Sequence, residues 1–210
     1  MDISKIKAVV FDCDGVLFDT ALANRKFYDE VLAGFGKPEL TDVQFVNVHM
    51  MTVTMAIKYL FPGQADHKAV FSSLKQIGYA KFIPYMRMEA GLIRLLTILK
   101  QKGFIRAIAT NRTNTMEQVL KDYGLESYFE MVVTAADVKN PKPDPEQLLK
   151  IMETFHLDPR EVIFIGDSEY DMRAARRAGT WFIAFKQEKL EADVFVDAME
   201  DILGVLQINE

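Results

Sequence analysis

The amino-acid sequence predicts an α/β fold in which a mostly parallel sheet lies between two layers of helices. Short apolar runs rich in β-branched residues alternate with helical patterns along the chain, and four polar motifs follow directly after or near such runs. This alternation is typical of βαβ units with right-handed crossovers. Because ligands of open α/β sheets bind at the carboxyl ends of the strands, we expect a functional site there.

Six runs are predicted to be strands, and the first of them, with its continuous apolar character, is predicted to be buried. They are residues 6–11, 104–110, 131–134, 161–166, 180–185 and 194–196. The last is short and is expected to complete one edge of the sheet.

Helical patterns separate these runs. The segment 89–101 carries leucines at helical spacing and is followed by Gly103, and the segments 114–123 and 169–178 also end at a glycine. Pro145 follows Asp144, a pairing that predicts a helix over 145–155 with Asp144 as its N-cap. A further helix is predicted near 199–206.

One long stretch breaks the alternation. Between residues 22 and 85 we find helical patterns, at 24–33 and 53–61, but no convincing strand. The sequence therefore predicts two domains, an α/β core formed by 1–20 and 87–210 and a helical insert formed by 21–86.

Composition restricts the class of protein. The chain has 210 residues, 50% of them hydrophobic, and a net charge of −5, which argues against a nucleic-acid surface. No apolar run approaches the ~18 residues of a transmembrane helix, and the start of the chain lacks a signal-peptide pattern. The single cysteine, Cys13, cannot form an internal disulfide. We expect a cytoplasmic protein without membrane or nucleic-acid partners, as a monomer or small homo-oligomer.

The first polar motif, Asp12-Cys13-Asp14-Gly15, follows the first predicted strand. Aspartates are common in turns for local reasons alone. However, carboxylates at i and i+2 that converge beyond a sheet concentrate negative charge, which is costly unless a cation lies there. The motif therefore predicts a hard cation, with Cys13 packed into the interior.

The other three motifs have simpler structural explanations when each is taken alone. Thr110-Asn111 could cap a helix, although Thr113 and Asn114 could do so instead. Lys142 lies before a proline and could simply be solvated. The last aspartate of the motif 166–171 could have no role beyond a favourable interaction with the dipole of the helix that follows. The order of the four motifs along the chain is more informative about function than any one motif.

The order DxDG, TN, KP, GDSxxD, spread over nearly the whole chain, closely resembles the haloacid dehalogenase (HAD) superfamily. Within it, the chain is similar to the group that includes phosphoglycolate phosphatase and β-phosphoglucomutase. The resemblance implies a three-layer Rossmann-like core with a mostly parallel sheet and an inserted helical cap domain. It also implies an Mg²⁺-dependent hydrolase of small phosphate monoesters.

The resemblance implies a role for each motif. Asp12 would attack phosphorus to form an aspartyl-phosphate, and Asp14 would act as general acid and then as general base. The groups implied to bind Mg²⁺ are carboxylates and one main-chain carbonyl: Asp12, the carbonyl of Asp14, Asp167 and, in support, Asp171. The groups implied to bind the phosphoryl oxygens are Thr110, Asn111 and Lys142.

Alternatives remain open at this point. Asp14 favours phosphoryl transfer over dehalogenation, but a phosphotransferase or mutase would use the same intermediate. A receiver-type binding module is disfavoured because it would be shorter and lack the insert, and a HAD-like scaffold without catalysis is disfavoured by the intact motifs. The segment 48–52 lacks the Lys-Gly pair of the mutases. Candidate substrate contacts in the insert are Asn24, Arg25, His49 and Thr52.

Overall fold

The structure, a computed structural model, describes residues 1–49, 51–63 and 66–208. The chain forms two compact units, one made of Met1–Asp19 together with the chain from Arg87 onward, and one made of Thr20–Met86. The first unit contains every strand assigned among the described residues, and the second is helical.

A six-stranded sheet forms the centre of the first unit. Its strands are β1 (Ala8–Phe11), β4 (Ile105–Ala109), β5 (Met131–Val133), β6 (Val162–Gly166), β7 (Trp181–Phe185) and β8 (Val194–Val196). They run parallel in the order β5-β4-β1-β6-β7-β8, so that β1 is central and β8 is an edge strand. Two very short strands, β2 (Phe18–Asp19) and β3 (Arg87–Met88), pair antiparallel. The predicted α/β fold is confirmed, and each predicted strand is present with small differences at its ends.

The second unit contains four α-helices among its described residues. They are α1 (Ala21–Ala33), α2 (Asp42–His49), α3 (Val53–Leu60) and α4 (Lys68–Ile77). Helix α1 begins three residues before the predicted start at residue 24. Helices α2 and α4 were not predicted. The apolar spacing of α2 is misleading because Val43 and Val46 are 72% and 67% exposed.

The first unit contains five α-helices among its described residues. They are α5 (Leu92–Gln101), α6 (Met116–Asp122), α7 (Glu146–Phe155), α8 (Glu169–Ala178) and α9 (Met199–Val205). The predicted start of the first of these at residue 89 is wrong, because Gly91 has the left-handed φ of 80° and α5 begins after it. The start of α7 is also shifted by one residue, since Pro145 is its N-cap. Asp144 nevertheless accepts a hydrogen bond from the Glu146 N–H at 3.2 Å.

The two helical layers bury opposite faces of the strands. Helices α7 and α8 pack on Ala8, Val10 and Phe164 in one apolar cluster. Helices α5 and α9 pack against each other, and they contact β4 and β8 respectively. All four residues of β1 are buried, as expected for a central parallel strand covered on both sides. No helix in the described part of the chain has the length and apolar character of a membrane-spanning segment.

Candidate active site

Asp12 is the first residue after the central strand β1. Its N–H donates to the carbonyl of Ile165 at 2.9 Å, which continues the parallel ladder with β6 and fixes the backbone. The N–H of Cys13 donates to Asp12 Oδ1 at 2.7 Å. Asp12 is 8% exposed, while Cys13 is fully buried, as predicted. Asp12 is therefore a nearly buried carboxylate at the carboxyl end of the sheet.

Lys142 joins two of the acidic residues. Its Nζ lies 2.8 Å from Asp12 Oδ1 and 2.6 Å from Asp171 Oδ1. Lys142 is 4% exposed and Asp171 is fully buried, so these ion pairs lie in a region of low dielectric. The alternative that Lys142 is simply solvated is therefore wrong.

Asp171 has a second structural role at the start of α8. Ser168 and Asp171 form a capping box, in which Asp171 Oδ2 accepts the Ser168 N–H at 3.0 Å and also the Ser168 hydroxyl. Both carboxylate oxygens of Asp171 therefore already accept hydrogen bonds. The same residue caps the helix and anchors Lys142.

A group of three carboxylates could hold a metal ion. One oxygen each from Asp12, Asp167 and Asp171 lies within 4.8 Å of the others. Carboxylate oxygens are the ligands that Mg²⁺ prefers, so the donor set fits the predicted ion. A Cβ built on Gly15 would lie 1.9 Å from Asp167 Oδ2, and Gly15 has a φ of 77°. Glycine is thus required for the Asp12–Asp14 loop to approach Asp167 this closely.

The electrostatics of this cluster favour additional positive charge. Burial, opposed by Lys142 and reinforced by the neighbouring carboxylates, raises the pKa of Asp12 to about 7. Burial and the charges of Asp12 and Asp171 also hold the pKa of Asp167 well above its usual value. Burial alone would lower the pKa of Lys142, but Asp12 and Asp171 outweigh it and raise that pKa. A bound cation would stabilise the ionised carboxylates.

Thr110 and Asn111 follow β4 at the same edge of the sheet. Thr110 is buried, and its N–H donates to the carbonyl of Val133 at 3.0 Å. The side-chain amide of Asn111 donates to the carbonyl of Lys142 at 3.0 Å, which connects the second and third motifs. The helix that follows is capped at neither Thr113 nor Asn114: residue 115 is the N-cap of α6.

Gln147 supports this segment and was not predicted. It is fully buried, and its Nε2 donates to the carbonyls of Thr110 at 2.7 Å and Val133 at 3.2 Å. The amide thereby fixes the backbone from which the Thr110 hydroxyl projects. No sequence signal marks Gln147, because a glutamine near a helix start is usually exposed.

Asp14 has a cation of its own, Arg112. The guanidinium donates from Nη2 to Asp14 Oδ1 at 2.6 Å and from Nε to Asp14 Oδ2 at 2.8 Å. Arg112 was also not predicted, although its position immediately after Thr110 and Asn111 is the signal that could have found it. The two aspartates of the first motif thus pair with different cations, Lys142 for Asp12 and Arg112 for Asp14.

Two of the candidate contacts in the helical unit have local structural roles. Arg25 donates to the carbonyl of Leu40 at 3.1 Å and to Asp42 Oδ1 at 2.7 Å. Thr52 is the N-cap of α3 and accepts the N–H of Met55 at 3.3 Å. These contacts explain both residues without a substrate.

The other two candidates belong to one polar network. Asn24 Nδ2 lies 3.3 Å from both Thr20 Oγ1 and His49 Nδ1. The hydroxyl of Tyr79 donates to Asn24 Oδ1 at 2.6 Å. The structure therefore brings Asn24 and His49 together within the helical unit.

A lysine–carboxylate cluster buried at the carboxyl end of an α/β sheet is typical of an enzyme active site. The profile of the haloacid dehalogenase-like hydrolases matches residues 9–185. The chain belongs to this family, and the predicted family and hydrolase class are both confirmed.

Similar proteins include a phosphatase, a pyrophosphatase and a hydrolase of solved structure. The chain is 31% identical to a phosphoglycolate phosphatase of Thiobacillus denitrificans over 83% of its length and 80% of the relative's. It is 28% identical to the pyrophosphatase PpaX of Bacillus velezensis over 98% of each chain. A crystal structure of a HAD-superfamily hydrolase, subfamily IA, from Geobacter sulfurreducens matches with a TM-score of 0.84 and 38% identity, over 96% of this chain and 97% of that one.

Proposed function

We propose that this protein is an Mg²⁺-dependent phosphatase that hydrolyses a small phosphate monoester through an aspartyl-phosphate on Asp12. The observation that carries the proposal is the nearly buried Asp12 carboxylate at the end of β1, held 2.8 Å from Lys142 beside Asp167 and Asp171. The phosphatase names of the relatives support the reaction class.

In the first half of the reaction, an Asp12 oxygen attacks phosphorus. The bond between phosphorus and the ester oxygen breaks, and Asp14 donates a proton to the departing alcohol. In the second half, Asp14 takes a proton from water. The water oxygen attacks phosphorus, inorganic phosphate leaves and the Asp12 carboxylate is restored.

The remaining motif residues would bind the phosphoryl group and the metal ion. Lys142, with the Thr110 hydroxyl and the Asn111 amide, would bind the phosphoryl oxygens as negative charge develops on them. Asp12, Asp167 and the main-chain carbonyl of Asp14 would hold Mg²⁺, with Asp171 in support through Lys142. When bound, the ion would neutralise phosphoryl charge during the transfer.

We further propose that residues 21–86 form a cap domain and that residues 1–20 and 87–210 form the core domain. A cap excludes water from phosphoryl transfer and contributes contacts to the leaving group. The Asn24–His49–Tyr79 network is the part of the insert that we assign to substrate recognition, because its polar groups converge, whereas Arg25 and Thr52 serve local structure.

The direct test is phosphate release from a panel of phosphate compounds. The panel contains phosphoglycolate, pyrophosphate, sugar phosphates, nucleoside monophosphates and p-nitrophenyl phosphate, each with Mg²⁺ and with chelator. We expect release by the wild type with Mg²⁺ only, and a loss of kcat of about 10⁴-fold or more in Asp12→Asn, as for removal of other nucleophiles.

Asp12→Asn keeps the size of the side chain, so its folded state, measured by circular dichroism, serves as the control. Metal-independent turnover, or turnover that survives in Asp12→Asn, would contradict the proposal. Transfer of phosphate to an added alcohol at the expense of release would instead favour the phosphotransferase alternative.

A further inference from the structure

The two aspartates of the first motif lie in different surroundings. Asp12 is buried against Lys142, whereas the side chain of Asp14 is 38% exposed and pairs with Arg112, whose own side chain is 7% exposed. Asp14 thus combines an anchored carboxylate with an open side that water or an alcohol can reach. That combination suits a group that must transfer protons at one fixed position.

The contact between Arg112 and Asp14 fixes orientation as well as distance. Two parallel N–H bonds from a planar guanidinium to the two oxygens of one carboxylate restrict rotation about the last bond of the aspartate. A lysine ammonium in place of the guanidinium would pair with the charge of Asp14 but would not fix the orientation of its carboxylate plane. The pair therefore determines where the proton-transferring oxygens of Asp14 lie.

Arg112 is itself held on several sides. Its Nη1 donates to Thr115 Oγ1 at 3.1 Å, its N–H donates to Thr110 Oγ1 at 3.2 Å, and its carbonyl accepts the N–H of Ala135 at 2.9 Å. The guanidinium is thus attached to the same segment that carries Thr110 and Asn111. Because Arg112 is held by that segment, the position of the segment determines the position of the Asp14 carboxylate.

We propose that Arg112 is a positioning residue that aims the carboxyl group of Asp14 at the leaving oxygen and the hydrolytic water. The inference rests on the proposed function, because it assigns Arg112 an effect only through the acid–base role of Asp14. Three of the five N–H groups of the Arg112 guanidinium donate to protein oxygens, two of them to Asp14 and one to Thr115, and these contacts favour a role in positioning Asp14.

The test compares Arg112→Met with Asp14→Asn on two substrates. An alkyl phosphate needs a proton donor for its leaving group, whereas p-nitrophenyl phosphate, with its more acidic leaving group, depends on one much less. We expect kcat/KM of Arg112→Met to fall about 10–100-fold for the alkyl phosphate, as for a misplaced catalytic group, and several-fold less for p-nitrophenyl phosphate. Asp14→Asn should show the same substrate dependence with a larger loss.

The double variant separates positioning from other roles. We expect Asp14→Asn with Arg112→Met to be no slower than Asp14→Asn alone, since residues that act as a unit are not additive. Arg112→Lys should restore only part of the loss. Arg176→Met, which removes an exposed ion pair with Glu191 in the same unit, is the matched control and should behave like the wild type.

Equal losses on both substrates, or a further loss in the double variant, would overturn the inference and indicate a phosphate-binding or purely structural role. If Arg112→Met does not fold, Arg112→Lys and Thr115→Val carry the same comparison. Wild-type activity in Asp14→Asn would instead contradict the proposed function itself, so the two failures are distinguishable.

Discussion

The carboxyl end of the sheet and the helical unit use polar residues in different ways. At the sheet, Asp12, Lys142 and Asp171 are nearly or fully buried and contact one another. In the helical unit, Arg25 and Thr52 pair with nearby backbone and exposed groups. Burying charge is costly unless the charges are paired, so a buried cluster indicates a selected function more strongly than exposed pairs do.

The two regions differ in the apolar side chains that they expose, not in the rings that they bury. Phe11 and Phe164 are fully buried in the sheet, and in the helical unit the ring centroid of Phe27 lies 5.3 Å from that of Tyr79 and 5.5 Å from that of Phe82. The helical unit also leaves several apolar side chains exposed, namely Val43, Val46, Val53, Met55 and Tyr59. We expect substitutions at the carboxyl end of the sheet to lower the rate of catalysis, and substitutions in the helical unit to lower mainly the stability of the fold.

The largest effect is expected for Lys142→Met. The change leaves Asp12 and Asp171 without their cation, which should lower kcat about 10³-fold and destabilise the metal-free protein by about 3–5 kcal/mol. Chemical denaturation and steady-state kinetics measure the two effects. Lys139→Met, at an exposed lysine three residues away, is the control and should change neither. A stable and active Lys142→Met variant would show that the buried charges at the sheet are no more important than the polar contacts of the helical unit.

A second effect is expected for Gly15→Ala. The new Cβ would overlap the Asp167 carboxylate, so the loop or Asp167 must move, and a displacement of about 1 Å costs about 10²-fold in rate. Mg²⁺ titration of activity measures the accompanying loss of metal affinity.

Gly103→Ala is the matched control for this change. Gly103 has a φ of 81°, close to the 77° of Gly15, but no atom lies within 4 Å of its added Cβ. Both variants carry the same backbone strain, and only Gly15→Ala should lose metal affinity. Equal losses in the two variants would show that strain rather than the Asp167 contact is responsible.

A smaller effect is expected in the helical unit for Thr52→Ala. Loss of the N-cap of α3 should destabilise the protein by about 1 kcal/mol, and Thr52→Ser should retain most of that stability. Thermal denaturation of the three proteins measures it. A change confined to KM, with stability unaltered, would instead indicate that Thr52 contacts the substrate.

The smallest effect is a pH dependence at Asp137, away from the acidic cluster. Hydrogen bonds from the side chain and N–H of Thr134 lower the pKa of Asp137 below its usual value of 3.8. Its ionised form therefore stabilises the fold above that value, and this contribution is lost as the pH falls through the lowered pKa. The stability difference between wild type and Asp137→Asn should be about 0.5 kcal/mol at neutral pH and should shrink on acidification. A difference that grows in acid would contradict the assignment.

Much of the sheet could be predicted because buried parallel strands are apolar throughout. The acidic cluster could be predicted because the carboxyl ends of such strands lie at the same side of the sheet. Asp12, Lys142 and Asp167 each follow a strand or precede a helix in a recognisable motif. The geometry that brings them together follows from topology alone.

Arg112 and Gln147 could not be predicted in the same way. Arg112 pairs with Asp14, 98 residues away in the sequence, and the contact depends on the conformation of the loop after β4. Gln147 is polar but fully buried, against the usual preference of glutamine. Helix α2 was missed because two of its three valines, Val43 and Val46, are exposed and only Val48 is buried.

The most direct measurement is chemical trapping of the phosphorylated residue during turnover. The enzyme is mixed with p-nitrophenyl phosphate and Mg²⁺, quenched in acid and treated with hydroxylamine, which converts an aspartyl-phosphate into a hydroxamate that peptide mass spectrometry can locate. We predict a hydroxamate at Asp12, absent without substrate and more abundant in Asp14→Asn, in which the water lacks its base. Turnover with no modification at Asp12, or modification at another residue, would contradict the account.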